Sequence, residues 1–338
     1  MVITKLDMLD KKIITALNHD ARAGYSYIAK KVRSSKEVVN YRIKRLMEEG
    51  IIREFVTIFG FGYWAHKILI VFERIGVQEE KKIIDYLLSH SNTNWITPCS
   101  GNWDLVFAIM AKDPAHLDKI LREILGEIGE YVQDYKIATS IGSETFGHTY
   151  ILGSVKESKK VKRNIEGKLE FDEKDKQIAK FLHTDARSRL IDISTKTGIP
   201  VDTVKYRIKK MENNFIIKRY RLILDPAKLG YNRYEIFIRC INLSDAVISK
   251  FREYAKQNPN IEYFSKCVGS WDIEFTVHFK TSVEFRNFVM EVKKEFGSHI
   301  KKFESIALFD TCNFIYFPEE LQLDKVIIKR FKTKNEKI

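Results

Sequence analysis

The chain has 338 residues, 44% hydrophobic and 30% charged, a balance that fits two or three folded domains and excludes a disordered chain. No run of 18 uncharged apolar residues occurs, so no membrane-spanning helix is expected. The start, MVITKLDMLDKK, lacks the apolar region of a secretory signal. Cys99, Cys240, Cys267 and Cys312 share no CxxC spacing, so neither a zinc site nor a disulfide framework is supported, no cofactor is expected, and a reducing, cytoplasmic setting is the expectation.

The net charge of +13 is unevenly placed. Residues 1–55 and 171–220 each carry 12 basic against 7 acidic side chains, and the stretches 154–170 and 325–338 are also basic. The remainder is mildly acidic. Paired basic modules suit a densely anionic partner, above all double-stranded DNA.

In chain order, residues 6–55 read as three helices. Asp7 or Asp10 caps the first, with Ile13, Ile14 and Leu17 as its apolar face; Ser26 opens a short second helix. Ser35 caps a third, whose Val39, Ile43 and Leu46 form a buried stripe, and Gly50 closes it in left-handed backbone. This describes a trihelical or winged-type helix-turn-helix unit. The outward face of its third helix holds Lys36, Glu37, Asn40, Tyr41 and Lys44, groups able to read base edges and grip phosphates. Arg42 flanks the stripe, either as a phosphate clamp or as a partner of Asp20.

A strand at 67–74, a helix at 78–90, strands at 94–100 and 103–111, a helix at 114–128 and a strand at 130–141 follow. The order βαββαβ is ferredoxin-like. Gly101, Trp103 and Asp104 form a tight turn before a central strand. Asp104 could recognise the amino group of a small ligand or cap the turn, with Trp103 as packing.

The whole pattern then repeats. At an offset of 165 residues, Asp185-Ala186-Arg187 falls on Asp20-Ala21-Arg22 and Tyr206-Arg207-Ile208-Lys209 on Tyr41-Arg42-Ile43-Lys44. Three extra residues around Asp225-Pro226 shift the offset to 168, which aligns Gly269, Trp271 and Asp272 with Gly101, Trp103 and Asp104. The second reading face presents Asp202, Lys205, Tyr206 and Lys209, with Val201 opposite Lys36 and Arg207 opposite Arg42. Ile199-Pro200 replaces the Ser35 cap. Phe215 stands at the place of Gly50, which makes Asn213-Asn214 the expected turn formers. The second βαββαβ runs over strands 233–242, 261–268, 271–279 and 298–310 and helices 244–258 and 281–296.

The expected architecture is therefore α+β: helix-turn-helix domains at 1–55 and 171–220, βαββαβ domains at 56–153 and 221–324, a basic linker at 154–170 and a basic tail at 325–338. The tail reads as a phosphate clamp or a disordered end.

The motifs L-D-x-x-D-K-K at 6–12, D-A-R at 20–22, S-x-x-V-V-x-x-R-I-K-R-L at 35–46 and G-N-W-D at 101–104, with their second-copy counterparts, resemble the Lrp/AsnC (feast/famine) family of transcriptional regulators. The resemblance covers nearly the whole chain. It implies sequence-specific DNA binding through the third helices and a second domain of the RAM type that assembles and binds a small molecule such as an amino acid. It also implies that Gly101, Trp103, Asp104, Gly269, Trp271 and Asp272 lie near the effector. Unlike typical members, this chain is a fused tandem, which implies an internal pseudo-dimer, with further homo-oligomerisation expected.

A rival of another class is the siroheme decarboxylase, whose members resemble the same family. Such an enzyme needs imidazoles and cations around a polycarboxylate tetrapyrrole. By the repeat offset, His66, His90, His116 and His148 face Tyr234, Asn258, Glu284 and Tyr316, so no histidine-rich site is expected, and a regulator without catalytic activity is the preferred reading.

Overall fold

A computed structural model describes residues 3–153, 159–160 and 171–309. The basic tail, and all of the basic linker but Lys159–Lys160, lie outside the described residues. The first copy comprises helices α1 (Met8–His19), α2 (Tyr25–Val32) and α3 (Lys36–Glu48), then β1 (Ile52–Phe59), β2 (Trp64–Phe72), α4 (Val77–Ser89), β3 (Thr93–Ser100), β4 (Leu105–Ala111), α5 (Pro114–Ile128) and β5 (Val132–Thr145). A short α6 (Thr149–Leu152) and β6 (Lys159–Lys160) precede the second copy. That copy comprises α7 (Glu173–Thr184), α8 (Leu190–Thr197), α9 (Val201–Asn213), β7 (Ile217–Leu224), β8 (Asn232–Cys240), α10 (Asp245–Gln257), β9 (Ile261–Gly269), β10 (Ile273–Phe279), α11 (Ser282–Phe296) and β11 (Ile300–Leu308).

The chain divides into two compact units, Met1–Gly62 with Ile141–Ser305, and Tyr63–Ser140 with Ile306–Ile338. In the second unit, β5, β2, β4 and β3 form an antiparallel sheet in that order. Helices α4 and α5 supply Ile83, Leu87, Ile120 and Ile124 to a core with Ile68, Ile70, Phe107 and Ile109 from the sheet. The first unit holds the second βαββαβ domain, its strands ordered β11, β8, β10, β9, with Phe251, Phe275, Phe288 and Phe296 at its centre. Both domains therefore have the ferredoxin-like order.

The first unit also holds both helix-turn-helix domains, and every one of their helices lies 165 residues from its counterpart. Local chemistry sets each boundary. Asp7 and Asp10 form a capping box on α1, and Asp172 and Asp175 repeat it on α7, which satisfies donors that the first turn leaves unpaired. The second helix starts after Gly24 rather than at Ser26, without a side-chain cap. Ser35 accepts from the Val38 N–H; Pro200 starts α9 with no side-chain cap. Gly50 closes α3 at φ +71° as expected; in the second copy Asn214 is the C-cap in the turn, Asn213 stays in the helix, and the left-handed position falls on Phe215 at φ +55°. The backbone path after the helix demands left-handed geometry, and the bulky side chain tolerates it.

Strands β1 and β7 were not foreseen from the sequence. They pair antiparallel, with Val56 opposite Arg221 and Phe55 opposite Leu222. Since Arg221 is the repeat equivalent of Val56, the ladder is self-complementary about its centre, as in an isologous dimer contact. The three-residue insertion forms a 3₁₀ turn at Ala227–Leu229, begun by Asp225, whose carboxylate accepts from the Ala227 N–H.

Candidate nucleic-acid interface

The third helices present what the heptad-like spacing predicts. Val39, Ile43 and Leu46 of α3 and Val204, Ile208 and Met211 of α9 are buried. Lys36, Glu37, Tyr41 and Lys44 are exposed with Asn40 half-buried, and Asp202, Lys205, Tyr206 and Lys209 are exposed. Tyr41 and Tyr206 are about two-thirds exposed, at 64% and 68%, which is far from what a phenol on a packing face would show.

Arg42 and Arg207 behave differently from this face. Neither pairs with Asp20 or Asp185. Arg42 Nη1 binds the Asp7 carboxylate and lies 3.1 Å from Asp10 Oδ1, and Arg207 Nη1 lies 2.7 Å from Asp172 and 2.9 Å from Asp175. Arg45 adds a 2.7 Å bond to Asp10, a carboxylate only 1% exposed. The Asp10 backbone N–H and the Arg42 guanidinium hold the Asp7 carboxyl below its ordinary range. The capping box of the first helix thus doubles as the dock for the reading helix. Sequence spacing misses this because the partners are 32 to 35 residues apart.

The D-A-R motifs join the two readers. Arg22 donates to the carbonyls of Ala186 and Ser188, the latter at 2.9 Å, and Arg187 donates to the Ala21 carbonyl at 2.6 Å. The guanidinium of Arg22 lies 5.6 Å from the Tyr220 ring centre and that of Arg187 5.2 Å from the ring of Phe55, and Phe55 and Tyr220 are themselves equivalents. The Arg22–Ala186 and Arg187–Ala21 contacts mirror each other, as do the two ring contacts. Together with the β1–β7 ladder they make a pseudo-twofold pair of readers inside one chain.

The two G-x-W-D turns share a backbone design. Gly101 and Gly269 have φ of +132° and +133°, and Trp103 and Trp271 are buried. Asp104 Oδ2 accepts from the Phe72 N–H and Asp272 Oδ2 from the Cys240 N–H, both at 2.8 Å. Each aspartate therefore caps the end of a neighbouring strand. They differ in the second oxygen: Arg239 lies 3.1 Å from Asp272 Oδ1, whereas exposed Asp104 has no second partner among the described residues.

One polar cluster was not expected at all. Although the repeat offset separates the histidines, His148 and His278 meet in the first unit around Glu262. His278 Nε2 and Arg221 Nη2 each lie 2.7 Å from its carboxylate, and His148 Nδ1 lies 3.9 Å away. Tyr150 stacks on the His278 ring, with centres 4.0 Å apart. Burial opposes a charge on Glu262, but the His278 hydrogen bond and the Arg221 charge hold its carboxyl well below the ordinary range. Burial pushes His148 down to about 4 and lowers His278 as well. The site is a carboxylate–guanidinium pair flanked by two neutral imidazoles. The offset misses it because His148 ends the first copy while His278 belongs to the second.

Among the described residues no group of His, Cys, Asp and Glu is arranged to hold a metal ion, and no helix is long and apolar enough to cross a membrane.

Paired helix-turn-helix readers with exposed lysine and tyrosine faces define a DNA-binding transcriptional regulator. Residues 6–47 match the AsnC-type helix-turn-helix domain and residues 171–218 a winged helix-turn-helix DNA-binding domain. The chain is 30% identical over 118 residues to HTH-type transcriptional regulator FL11 of Pyrococcus horikoshii, covering 35% of this chain and 77% of that one. It is 31% identical over 123 residues to an uncharacterized HTH-type transcriptional regulator of Pyrococcus furiosus, covering 36% and 80%. The protein belongs to the Lrp/AsnC family of regulators, with the helix-turn-helix unit present twice. Its fold over 93% of the chain is also that of the siroheme decarboxylase NirDL, at a TM-score of 0.63, 13% identity and 96% coverage of that chain. A structure of NirDL in co-complex with an iron-uroporphyrin III analogue matches with a TM-score of 0.60 at 12% identity, over 91% of this chain and 93% of that one.

Proposed function

We propose that a single chain grips both half-sites of an imperfect inverted repeat in double-stranded DNA. The observation that carries this reading is the reciprocal Arg22–Ala186 and Arg187–Ala21 clamp with its self-complementary ladder, since a two-fold pair of readers matches a two-fold operator. Tyr41 and Tyr206, Lys44 and Lys209 make the shared contacts. Lys36 against Val201 and Asn40 against Lys205 make the half-sites unequal, with Glu37 and Asp202 restricting which bases are accepted. Arg42 and Arg207 act behind this surface, holding the helices. Replacing Lys44 and Lys209 together by glutamine removes two exposed charges without touching the core, and duplex affinity falls about a hundredfold at low salt. Unchanged duplex capture would refute the reading. A selected-site logo with perfect dyad symmetry would refute the unequal half-sites alone.

A small molecule with an amino group, such as an amino acid, is sensed at the Gly101–Trp103–Asp104 turn. Asp104 keeps an open carboxylate oxygen there, whereas at the Gly269–Trp271–Asp272 turn Arg239 already fills that role. Calorimetric titration of the twenty amino acids into the protein and into Asp104→Asn tests this; equal binding by both refutes it. In this reading the chain controls transcription in the cytoplasm and catalyses no reaction.

The fold shared with siroheme decarboxylase and the meeting of His148 and His278 favour one other reading, tetrapyrrole decarboxylation. Against it, Arg221 and His278 are both spent on Glu262, and the Tyr150 ring covers the imidazole. Gel filtration after incubation with an iron uroporphyrin separates the two: co-elution of its absorbance band supports the enzyme, and its loss supports the regulator.

A further inference from the structure

Among the described residues, three that are not glycine adopt left-handed backbone, Arg33, Arg74 and Phe215. Arg33 stands apart. It is the C-cap of α2 at φ +57°, in the turn that leads to the reading helix, and its repeat equivalent is Gly198, at φ +71° in the same cap of α8. The second copy therefore shows that glycine closes this helix without strain, and the first copy carries an arginine there despite the steric penalty on its Cβ. Nothing inside the fold accounts for the choice. Arg33 is exposed; its backbone N–H donates to the Ala29 carbonyl, but its side chain makes no hydrogen bond or ion pair among the described residues, whereas Arg74 lies 3.4 Å from the Glu73 carboxylate. Its surroundings are basic: Lys30 and Lys31 occupy the last turn of α2, and Lys36 opens α3 directly after Ser34-Ser35. At the matching positions the second copy has Thr195, Lys196 and Val201, and its Arg189 is closed on Asp192 at 2.7 Å.

We infer that Arg33 is a backbone-phosphate contact of the first reader, kept in a strained conformation for its position at the turn. It makes the first reader the stronger electrostatic anchor and the second the weaker. The inference rests on the DNA-binding reading above and adds a residue outside the reading helix.

The test uses the full chain and a fluorescein-labelled duplex of random sequence, titrated over a range of salt, with thermal melts in parallel. Arg33→Gly makes the plot of log affinity against log salt shallower by about 0.9, the loss of one phosphate contact, while its Tm rises by about 2 °C as the strain is relieved. Arg33→Lys keeps the wild-type slope. Opposite movements of affinity and stability separate a lost contact from a damaged fold. An unchanged slope in Arg33→Gly, a Tm that fails to rise, or a slope in Arg33→Lys as shallow as in Arg33→Gly overturns the inference. Any of these, with the wild-type protein still binding duplex in a salt-dependent way, leaves the DNA-binding reading intact. Absence of wild-type duplex binding overturns both.

Discussion

The two βαββαβ domains solve the same position in opposite ways. In the second, Glu262 on β9 and His278 on β10 form a buried ionic centre with Arg221. In the first, the equivalents are Asn94 and Met110, joined by a weak amide–thioether contact of 3.8 Å, and Arg221 is matched by Val56. Duplication preserved the strand pairing and moved the charge to one side. Since Arg221 lies on the ladder that joins the two readers, the second domain is tied to the readers by a buried ion pair while its sister has no counterpart among those equivalents. The lesson is that a repeated fold constrains shape far more tightly than it constrains polarity.

The largest expected effect breaks that comparison directly. Glu262→Gln leaves the Arg221 guanidinium buried beside a neutral amide and costs about 3–5 kcal/mol in urea unfolding, whereas Asn94→Ala costs about 1 kcal/mol or less. Transplanting the first copy's solution as Arg221→Val, Glu262→Asn and His278→Met recovers part of the loss, because it removes both buried charges together and strands neither. Equal costs at Glu262 and Asn94 would show the two sites to be energetically alike.

The next effect is titration. His148 is neutral in the fold and its pKa lies near 4, below the ordinary 6.5, because it is buried. A depressed folded value means that this stabilisation is complete above about pH 6.5 and is lost as pH falls toward 4, on the order of 3 kcal/mol. The depressed Glu262 carboxyl adds loss in the same direction. Melts at pH 7 and pH 4.5 should show a smaller drop for His148→Gln than for wild type; identical drops would remove His148 from the account.

The smallest effect sharpens the comparison between the helix-turn-helix copies. Gly50→Ala forces a Cβ into left-handed backbone and destabilises by about 1 kcal/mol. Phe215→Gly relieves the same conformation but also uncovers apolar surface, so its melt shifts less. A neutral Gly50→Ala would show that the turn can relax.

Much of this was legible in the sequence, for a physical reason. Helices are local: the apolar stripe at Val39, Ile43 and Leu46 and the Ser35 cap lie within one segment, and the exposed Tyr41 and Lys44 follow from them. The features that escaped depend on distant partners. Strand β1 makes sense only beside β7, about 165 residues on, the Arg42 dock needs the capping box of another helix, and the Glu262 centre draws on the end of one copy and the middle of the next. The alternatives left open at Asp104 and Asp272 turned on which backbone N–H lay within reach, which no spacing encodes.

The mirrored clamps of Arg22 and Arg187 carry one last consequence. A regulator assembled from two separate polypeptides surrenders half its grip when it is diluted, because the partner can leave. Here the partner is tethered by peptide bonds, so the local concentration of the second hand never falls. If one chain grips a whole operator as proposed, occupancy by the reader pair scales with the first power of protein concentration, and prying the pair into halves that drift apart is no route to silencing it.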